Sequence, residues 1–210
     1  MNQNIPSVDR IARLKITLDY SEPVIVRRIE IPLTSTLHAL HEVIQAVMLF
    51  ENYHLFQFDV GPRGHETRYG IPDPDGFIEV IDARRATLDQ LIDAKVKKFA
   101  YTYDFGDDWR HTVTVEAVAP ADPVLTYPRF IDGAHRAPPE DVGGQPGFEH
   151  FLTVMADPHH PEHADIKRWY GRAFDPNDIA EPGIAARMAK LNKRKPSTKP
   201  KTAKSKRQIN

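Results

Sequence analysis

The sequence predicts an α+β domain: a mixed, largely antiparallel sheet built from hairpins, one amphipathic helix packed on it, and further helices gathered at the C-terminal side. Three observations carry this. Apolar residues alternate in neighbouring stretches near the N-terminus and again around residues 98 to 118, the two-residue period of strands. "STLHALHEVIQAVMLF" repeats Leu37, Leu40, Ile44, Val47 and Met48 at three- and four-residue spacing, which is one apolar face of a helix. The last third is loop-rich and then helical, so strands and helices are segregated rather than alternating.

Taken in order, "RIARLKITLDY" sets Ile11, Leu14, Ile16 and Leu18 mostly at alternate positions, and "PVIVRRIEIPL" does the same with Val24, Val26, Ile29 and Ile31. The turn "SEP" between them makes a hairpin. After the amphipathic helix, "HLFQFDV" returns to strand alternation. The glycine- and proline-rich "GPRGHETRYGIPDPDG" reads as turns, followed by a short strand "FIEVI" and a helical turn near Leu88 to Ile92. "KKFAYTYDF" and "WRHTVTVEA" form a second hairpin about the turn "DFGDD". In it Phe99, Tyr101 and Tyr103 share one face, and Gly106 is the residue expected to take a positive φ. From Pro120 onward come loops and three helical segments, "PGFEHFLTVMA", "PEHADIKRWYG" and "PNDIAEPGIAARMAKLN", each with proline at or near its first turn.

The chain has 210 residues, enough for one well-cored domain, and 40% of them are hydrophobic. No apolar run approaches the roughly 18 residues of a membrane span, and the N-terminus lacks a basic region followed by an apolar core. With no cysteine there is no disulfide, thiol nucleophile or thiolate metal site, which fits a cytoplasmic protein. The near-neutral net charge of −1 conceals two unlike parts. From Ala189 onward there are nine basic residues and no acidic one, so the body carries about −10. The resulting division is a flexible N-terminus at 1–10, a single α+β domain at 11–188, and a basic tail at 189–210. Lacking aromatics, the tail cannot offset its ordering entropy and reads as disordered. Its Lys193, Arg194, Lys195, Lys199, Lys201, Lys204, Lys206 and Arg207 suit phosphate contacts with DNA or RNA, or fold back on the acidic body.

The stretches "PVIVRRIEIP", "LHALHEVIQAVMLFENYHLFQF", "YTYDFGDDWRHTVTVEAV", "APPEDVGGQPGFEHFLTVMADPHHPEH" and "WYGRAFDP", in this order over roughly residues 11 to 180, resemble the family named after the third open reading frame of a Ri plasmid. The resemblance implies a link to plasmids and mobile elements, since members are labelled insertion-element passengers of resolvase type. The chain departs from that pattern at Val26, where tryptophan is usual, at Leu49 and Phe50 in place of glycine-tryptophan, and at Ala137 and Val142 in place of cysteines flanking "PPED". A thiol role inferred for the family does not transfer to this chain.

Recombinase chemistry needs an activated serine or tyrosine among converging arginines. No serine lies in such a context, and strand alternation sends Arg27 and Arg28 to opposite faces. His38 and His41 share a helix face, but "HALHE" is not a zincin spacing; His41, Gln45 and His54 read as groove-lining. "DPHHPEHAD" straddles a helix start, where capping explains its carboxylates and histidines. "PPEDVGGQPG" lacks the lysine and hydroxyl residue of a phosphate loop and reads as a rigid segment turning at Gly143 and Gly144.

The densest cluster is "DFGDD". Turn chemistry accounts for Asp104, Asp107 and Asp108. Three carboxylates within five residues nevertheless repel, with only Arg110 and His111 nearby, and a divalent cation such as Mg²⁺ would relieve that repulsion. Asp104, Asp107, Asp108 and His111, with Glu140 and Asp141 from the "PPED" loop, are therefore the candidate ligand or metal pocket. Three readings follow. One is a non-enzymatic binding module with no cofactor and a protein or nucleic-acid partner; the second is a metal-dependent hydrolase or nuclease; the third, implied by the family label, is an interaction protein of mobile-element or toxin-antitoxin type. Trp109 and Trp169 are both expected as anchors between the hairpin and the C-terminal helices.

Overall fold

In the computed structural model, which describes residues 9–73, 75 and 79–193, the first two alternating stretches pair antiparallel as β1 (Arg10–Leu18) and β2 (Val26–Pro32), Ile11 opposite Pro32 and Thr17 opposite Val26. Ile11, Leu14, Ile16 and Leu18 are buried. Thr36 caps α1 (Leu37–Met48) by accepting from the Ala39 amide, and the helix ends at Leu49 in the left-handed region. Leu37, Leu40, Ile44, Val47 and Met48 are all buried, the apolar face that the spacing anticipates.

The chain then lays down β3 (Phe56–Val60), β4 (Thr67–Gly70), β5 (Ile81–Asp82), α2 (Leu88–Asp93), β6 (Lys98–Tyr103), β7 (Trp109–Pro120) and β8 (Arg129–Ala134). The helices α3 (Gly144–Ala156), α4 (His163–Tyr170) and α5 (Glu181–Lys193) follow. One eight-stranded sheet results, in the order β5-β4-β3-β6-β7-β1-β2-β8, antiparallel throughout except for β4 with β5. The fold is α+β, as the segregation of strands and helices implies.

Two strands lie where only turns or loops were expected. "TRYG" in the glycine-rich stretch is β4, and "RFIDGA" beyond Pro120 is β8, an edge strand on β2. Both are short and only partly buried, so neither shows the alternation that marks a strand. The expected strand "FIEVI" survives as the two-residue β5, part of that stretch lying outside the described residues. At the C-terminus α5 runs to Lys193, five residues past the expected domain limit, with Met188 in the core. Arg194, Lys195, Lys199, Lys201, Lys204, Lys206 and Arg207 lie outside the described residues, as do residues 1–8.

Arg27 and Arg28 point to opposite faces. Arg28 pairs with Glu116 and Asp132 at the surface, each at 3.0 Å. Arg27 is fully buried and donates from Nε to the Val47 carbonyl at 2.9 Å and from Nη1 to the carbonyls of Val26 and Ala134 at 2.8 and 3.0 Å. A cation placed on a last-turn carbonyl of α1 complements that end of the helix.

Candidate functional site: a histidine and carboxylate cluster beside a cleft

Three segments far apart in sequence meet at one end of the β6–β7 hairpin. The first is the loop after α1. Asn52 there takes a φ of 59°, and the hydroxyl of Tyr103 accepts from the amides of Tyr53 at 3.0 Å and His54 at 3.4 Å. The second is the hairpin turn. The third is the "PPED" loop, whose Glu140 accepts from the Tyr103 hydroxyl at 2.6 Å and from the Glu51 amide at 2.7 Å.

In the hairpin turn the positive φ belongs to Asp104 (57°) and Asp108 (56°), not to Gly106. Aspartate tolerates this region because its side chain bonds the local backbone. Asp104 Oδ1 accepts from the Gly106 amide at 2.9 Å, and the Asp104 carbonyl accepts from the Asp108 amide at 2.7 Å. The turn thereby aims the other oxygen of Asp104, a buried residue, out of the hairpin.

Paired glycines bring the "PPED" loop against that turn. Gly143 and Gly144 have φ of 95° and 67°, and a Cβ on Gly144 would stand 2.8 Å from the Asp107 carbonyl oxygen. The Gly143 amide also donates to Asp107 Oδ2 at 3.1 Å. Only a residue without a side chain can approach the turn so closely, which is the physical reason for glycine at 144.

Around His54 the result is a tight donor cluster. Its Nε2 lies 2.8 Å from Asp141 Oδ1, 3.5 Å from Asp104 Oδ2 and 3.7 Å from Glu140 Oε1. One ligand atom each from His54, Asp104 and Asp141 fall within 4.8 Å of one another. The imidazolium is favoured here: the Asp141 hydrogen bond raises the His54 pKa, partial burial opposes it, and the charges of Asp104, Asp141 and Glu140 add to the rise.

Glu140 and Asp141 also line a cleft of about 290 Å³, together with Met48, Leu49, Glu51, Arg136, Trp169, Tyr170 and Arg172. Trp169 is 53% exposed, whereas Trp109 is 3% exposed and meets Phe148 edge-on. The expectation of two buried anchors therefore holds for Trp109 alone. Trp169 sits on α4, a helix with no fully buried residue, which cannot enclose a ring of that size.

The structure thus brings together Asp104, Glu140, Asp141 and His54, and separates the other candidates from them. Asp108 pairs with Arg110 at 2.8 Å on the surface, and Asp107 is engaged with the Gly143 amide. His111 is wholly buried: Nδ1 meets the Trp109 carbonyl at 3.0 Å, Nε2 has no partner among the described residues, and the ring packs beside Tyr101 and Phe50. Desolvation lowers its pKa to about 4. It is a core residue, because inward alternation on β7 turns it away from the hairpin tip.

His41 is buried too, stacked on Phe56 at 3.6 Å, donating from Nε2 to Asn52 and accepting the Tyr101 hydroxyl at Nδ1, each at 2.8 Å. Burial lowers its pKa to about 4. Gln45 does line a groove between α1 and α5, while its amide donates to Tyr101 at 3.1 Å. The cleft arginines and Trp169 were not foreseen as ligand-facing; "RWYGR", two cations flanking two aromatics, was the available signal. In "DPHHPEHAD", Asp157 accepts from the His159 amide at 2.9 Å, closing a turn in the loop between α3 and α4, while α4 starts at Glu162 without a side-chain cap, so the expected capping is not what these residues do.

No helix of the described residues is long and apolar enough to cross a membrane. An uncharacterized protein of Sinorhizobium fredii, y4hQ, is 40% identical over 189 residues, covering 89% of this chain and 91% of its own. The crystal structure of a protein of unknown function from Methanosarcina mazei Go1, MM3350, matches with a TM-score of 0.74 at 34% identity over 82% of this chain and 97% of that one. The family model for the plasmid pRiA4b ORF-3-like protein matches residues 10–181, and the chain belongs to that family.

Proposed function

We propose that the protein is a binding module organised by a divalent cation held by His54, Asp104 and Asp141, with Glu140 beside them. The observation that carries this is the convergence of one imidazole nitrogen and two carboxylate oxygens within 4.8 Å. Ligands about 2.1 Å from a common metal stand about 3 to 3.5 Å apart, so small rotations of these side chains are enough to admit an ion. A mixed nitrogen and oxygen set favours Mn²⁺, Fe²⁺ or Zn²⁺ over Mg²⁺ or Ca²⁺, which prefer oxygen alone.

Binding is preferred to hydrolysis because of Glu140. A metal-activated water needs a nearby acceptor for its proton. Glu140 is the carboxylate next in reach of His54, and it already accepts from both Tyr103 and the Glu51 amide.

Thermal and urea melts with Mn²⁺, Zn²⁺ and Mg²⁺ test the reading. The parent should gain about 2.7 kcal/mol at free metal a hundredfold above Kd. Asp141→Asn and His54→Gln should lose that gain, and the double variant Asp107→Asn, Asp108→Asn should keep it. A parent that none of the three ions stabilises overturns the proposal.

A further inference from the structure

We infer that the cleft beside the cluster is a subsite for a nucleoside monophosphate unit, its phosphate taken by Arg136 and Arg172 and its base lying on Trp169. This inference rests on the cation site proposed above, because Glu140 and Asp141 are common to cluster and cleft.

Three features of the cleft wall point to this ligand class. Trp169 leaves half its surface open and packs steeply inclined to Phe151, with ring centroids 6.1 Å apart, so it offers a braced apolar surface. A stacked base gains from such a platform whatever its identity. Next, both guanidiniums lie over aromatic rings, Arg172 without a carboxylate partner among the described residues and Arg136 with Nη1 also donating to the Asp178 carbonyl at 3.3 Å. Arg172 stands 5.2 Å from the centre of the Tyr170 ring and has no ion pair among the described residues. Arg136 stands 5.4 Å from the Phe174 ring and reaches Asp178 only at 3.5 Å. Ring contacts orient a guanidinium and leave N–H groups for a phosphate.

The third feature lies behind the same wall. Arg27, not itself a lining residue, is buried with Nη2 lacking a partner among the described residues; it bonds the carbonyl of Val47, which precedes the cleft-lining Met48, and that of Ala134, two residues before Arg136, whose charge it feels. Two cations close together are relieved by an anion. The cleft volume, about 290 Å³, is at the lower bound of ordinary small-ligand sites and suits one nucleotide unit.

Against a phosphate stand Glu51, Glu140 and Asp141. Glu51 is paired with Arg187 at 2.6 Å, and a divalent cation on the cluster would offset two of the three charges of Asp104, Glu140 and Asp141. Phosphate binding should accordingly depend on metal. A free nucleotide and the 5′-phosphorylated end of a strand present the same unit, and the probes below separate them.

The test is calorimetric titration of the full chain with AMP, adenosine, inorganic phosphate and a 5′-phosphorylated tetranucleotide, with and without saturating Mn²⁺, together with tryptophan fluorescence. AMP should bind one per chain, at least tenfold more tightly with Mn²⁺, and quench Trp169. Arg172→Ala, an exposed substitution that spares the core, should weaken AMP at least tenfold, and Trp169→Ala should remove the preference for AMP over phosphate. A tighter tetranucleotide than AMP identifies a strand end as the source; the reverse identifies a free nucleotide.

If Mn²⁺ binds but neither AMP nor the tetranucleotide does, the subsite inference is overturned and the cation site stands. AMP binding that Arg172→Ala leaves unchanged overturns it as well. If no metal binds, the cation site fails. Arginine-dependent AMP binding would then still uphold the subsite, and no AMP binding would overturn it.

Discussion

Tyr103 donates its hydroxyl proton to Glu140 across 2.6 Å and, at the same oxygen, accepts the amide of Tyr53 at 3.0 Å. One phenol at the end of β6 thus joins the loop after α1 to the "PPED" loop. Burial, with Glu140 beside it, pushes its pKa up, so it stays a donor at any physiological pH. Tyr103→Phe keeps the ring that stacks on Phe50 and removes only the tie. We expect a loss of about 1 to 2 kcal/mol by urea unfolding, the scale for stranding a partly buried amide and carboxylate. We also expect several-fold weaker Mn²⁺ binding, because Glu140 and Asp141 lose their anchor. An unchanged Mn²⁺ affinity would show that the loop is positioned without Tyr103.

Metal and proton compete for His54. Its pKa is raised, first by the Asp141 hydrogen bond and then by the charges of Asp104, Asp141 and Glu140 against a desolvation that lowers it, so the protonated imidazole must give up its proton before it can ligate. Mn²⁺ or Zn²⁺ affinity should rise with pH up to the folded-state pKa and fall up to tenfold per unit below it. Without metal, the raised pKa contributes stability that is complete below the unfolded value of about 6.5 and is lost as pH rises through the folded value. Affinity measured from pH 5.5 to 8.5 decides the point, and a flat profile excludes His54 as a ligand.

The two tryptophans should separate cleanly. Trp109→Ala opens a cavity against Phe148 and should cost on the order of 3 kcal/mol. Trp169→Ala removes a half-exposed ring and should cost under about 1 kcal/mol. Equal unfolding midpoints for the two variants would contradict this division.

What was legible in the sequence followed strong periodicity. The alternation of β1, β2, β6 and β7 and the apolar face of α1 gave the centre of the sheet and its covering helix, because a face buried over many residues leaves a repeating pattern. The strands β4 and β8 were not legible, being short and half-exposed. In the turn, the aspartate types announced a local role, yet neither composition nor spacing shows which carboxylate turns inward. That depends on Asp104 and Asp108 taking the positive φ in place of Gly106. The joining of "DFGDD" to "PPED" depends on the contact of Gly144 with the Asp107 carbonyl, 37 residues apart in the chain, and no local signal carries it. His54 reads in the sequence only as a groove-lining residue of "ENYHLFQF" and acquires its carboxylate surroundings from three loops.

The last prediction concerns acid. His41 and His111 are buried as neutral rings, and desolvation lowers both pKa values to about 4. A group whose folded pKa lies below its unfolded value contributes stability that is present at higher pH. That contribution is lost as pH falls from about 6.5, because the unfolded chain takes up the proton first. Each ring should cost about 2 kcal/mol by pH 5 and more by pH 4, outweighing the opposite tendency of the single, partly exposed His54. His111→Phe isolates one of the two. Its Nε2 has no partner among the described residues and its ring packs beside Tyr101 and Phe50, so an apolar ring of similar outline should fold at pH 7.5 at the cost of about 1 kcal/mol for the lost Nδ1 bond to the Trp109 carbonyl. Urea midpoints at pH 7.5 and pH 5 should show the variant losing about half of what the parent loses. An undiminished loss would mean that His111 is not the ring that acid attacks, and would shift the acid sensitivity to His41, whose acceptor bond from the Tyr101 hydroxyl is lost on protonation of Nδ1 while the bond from Nε2 to Asn52 remains.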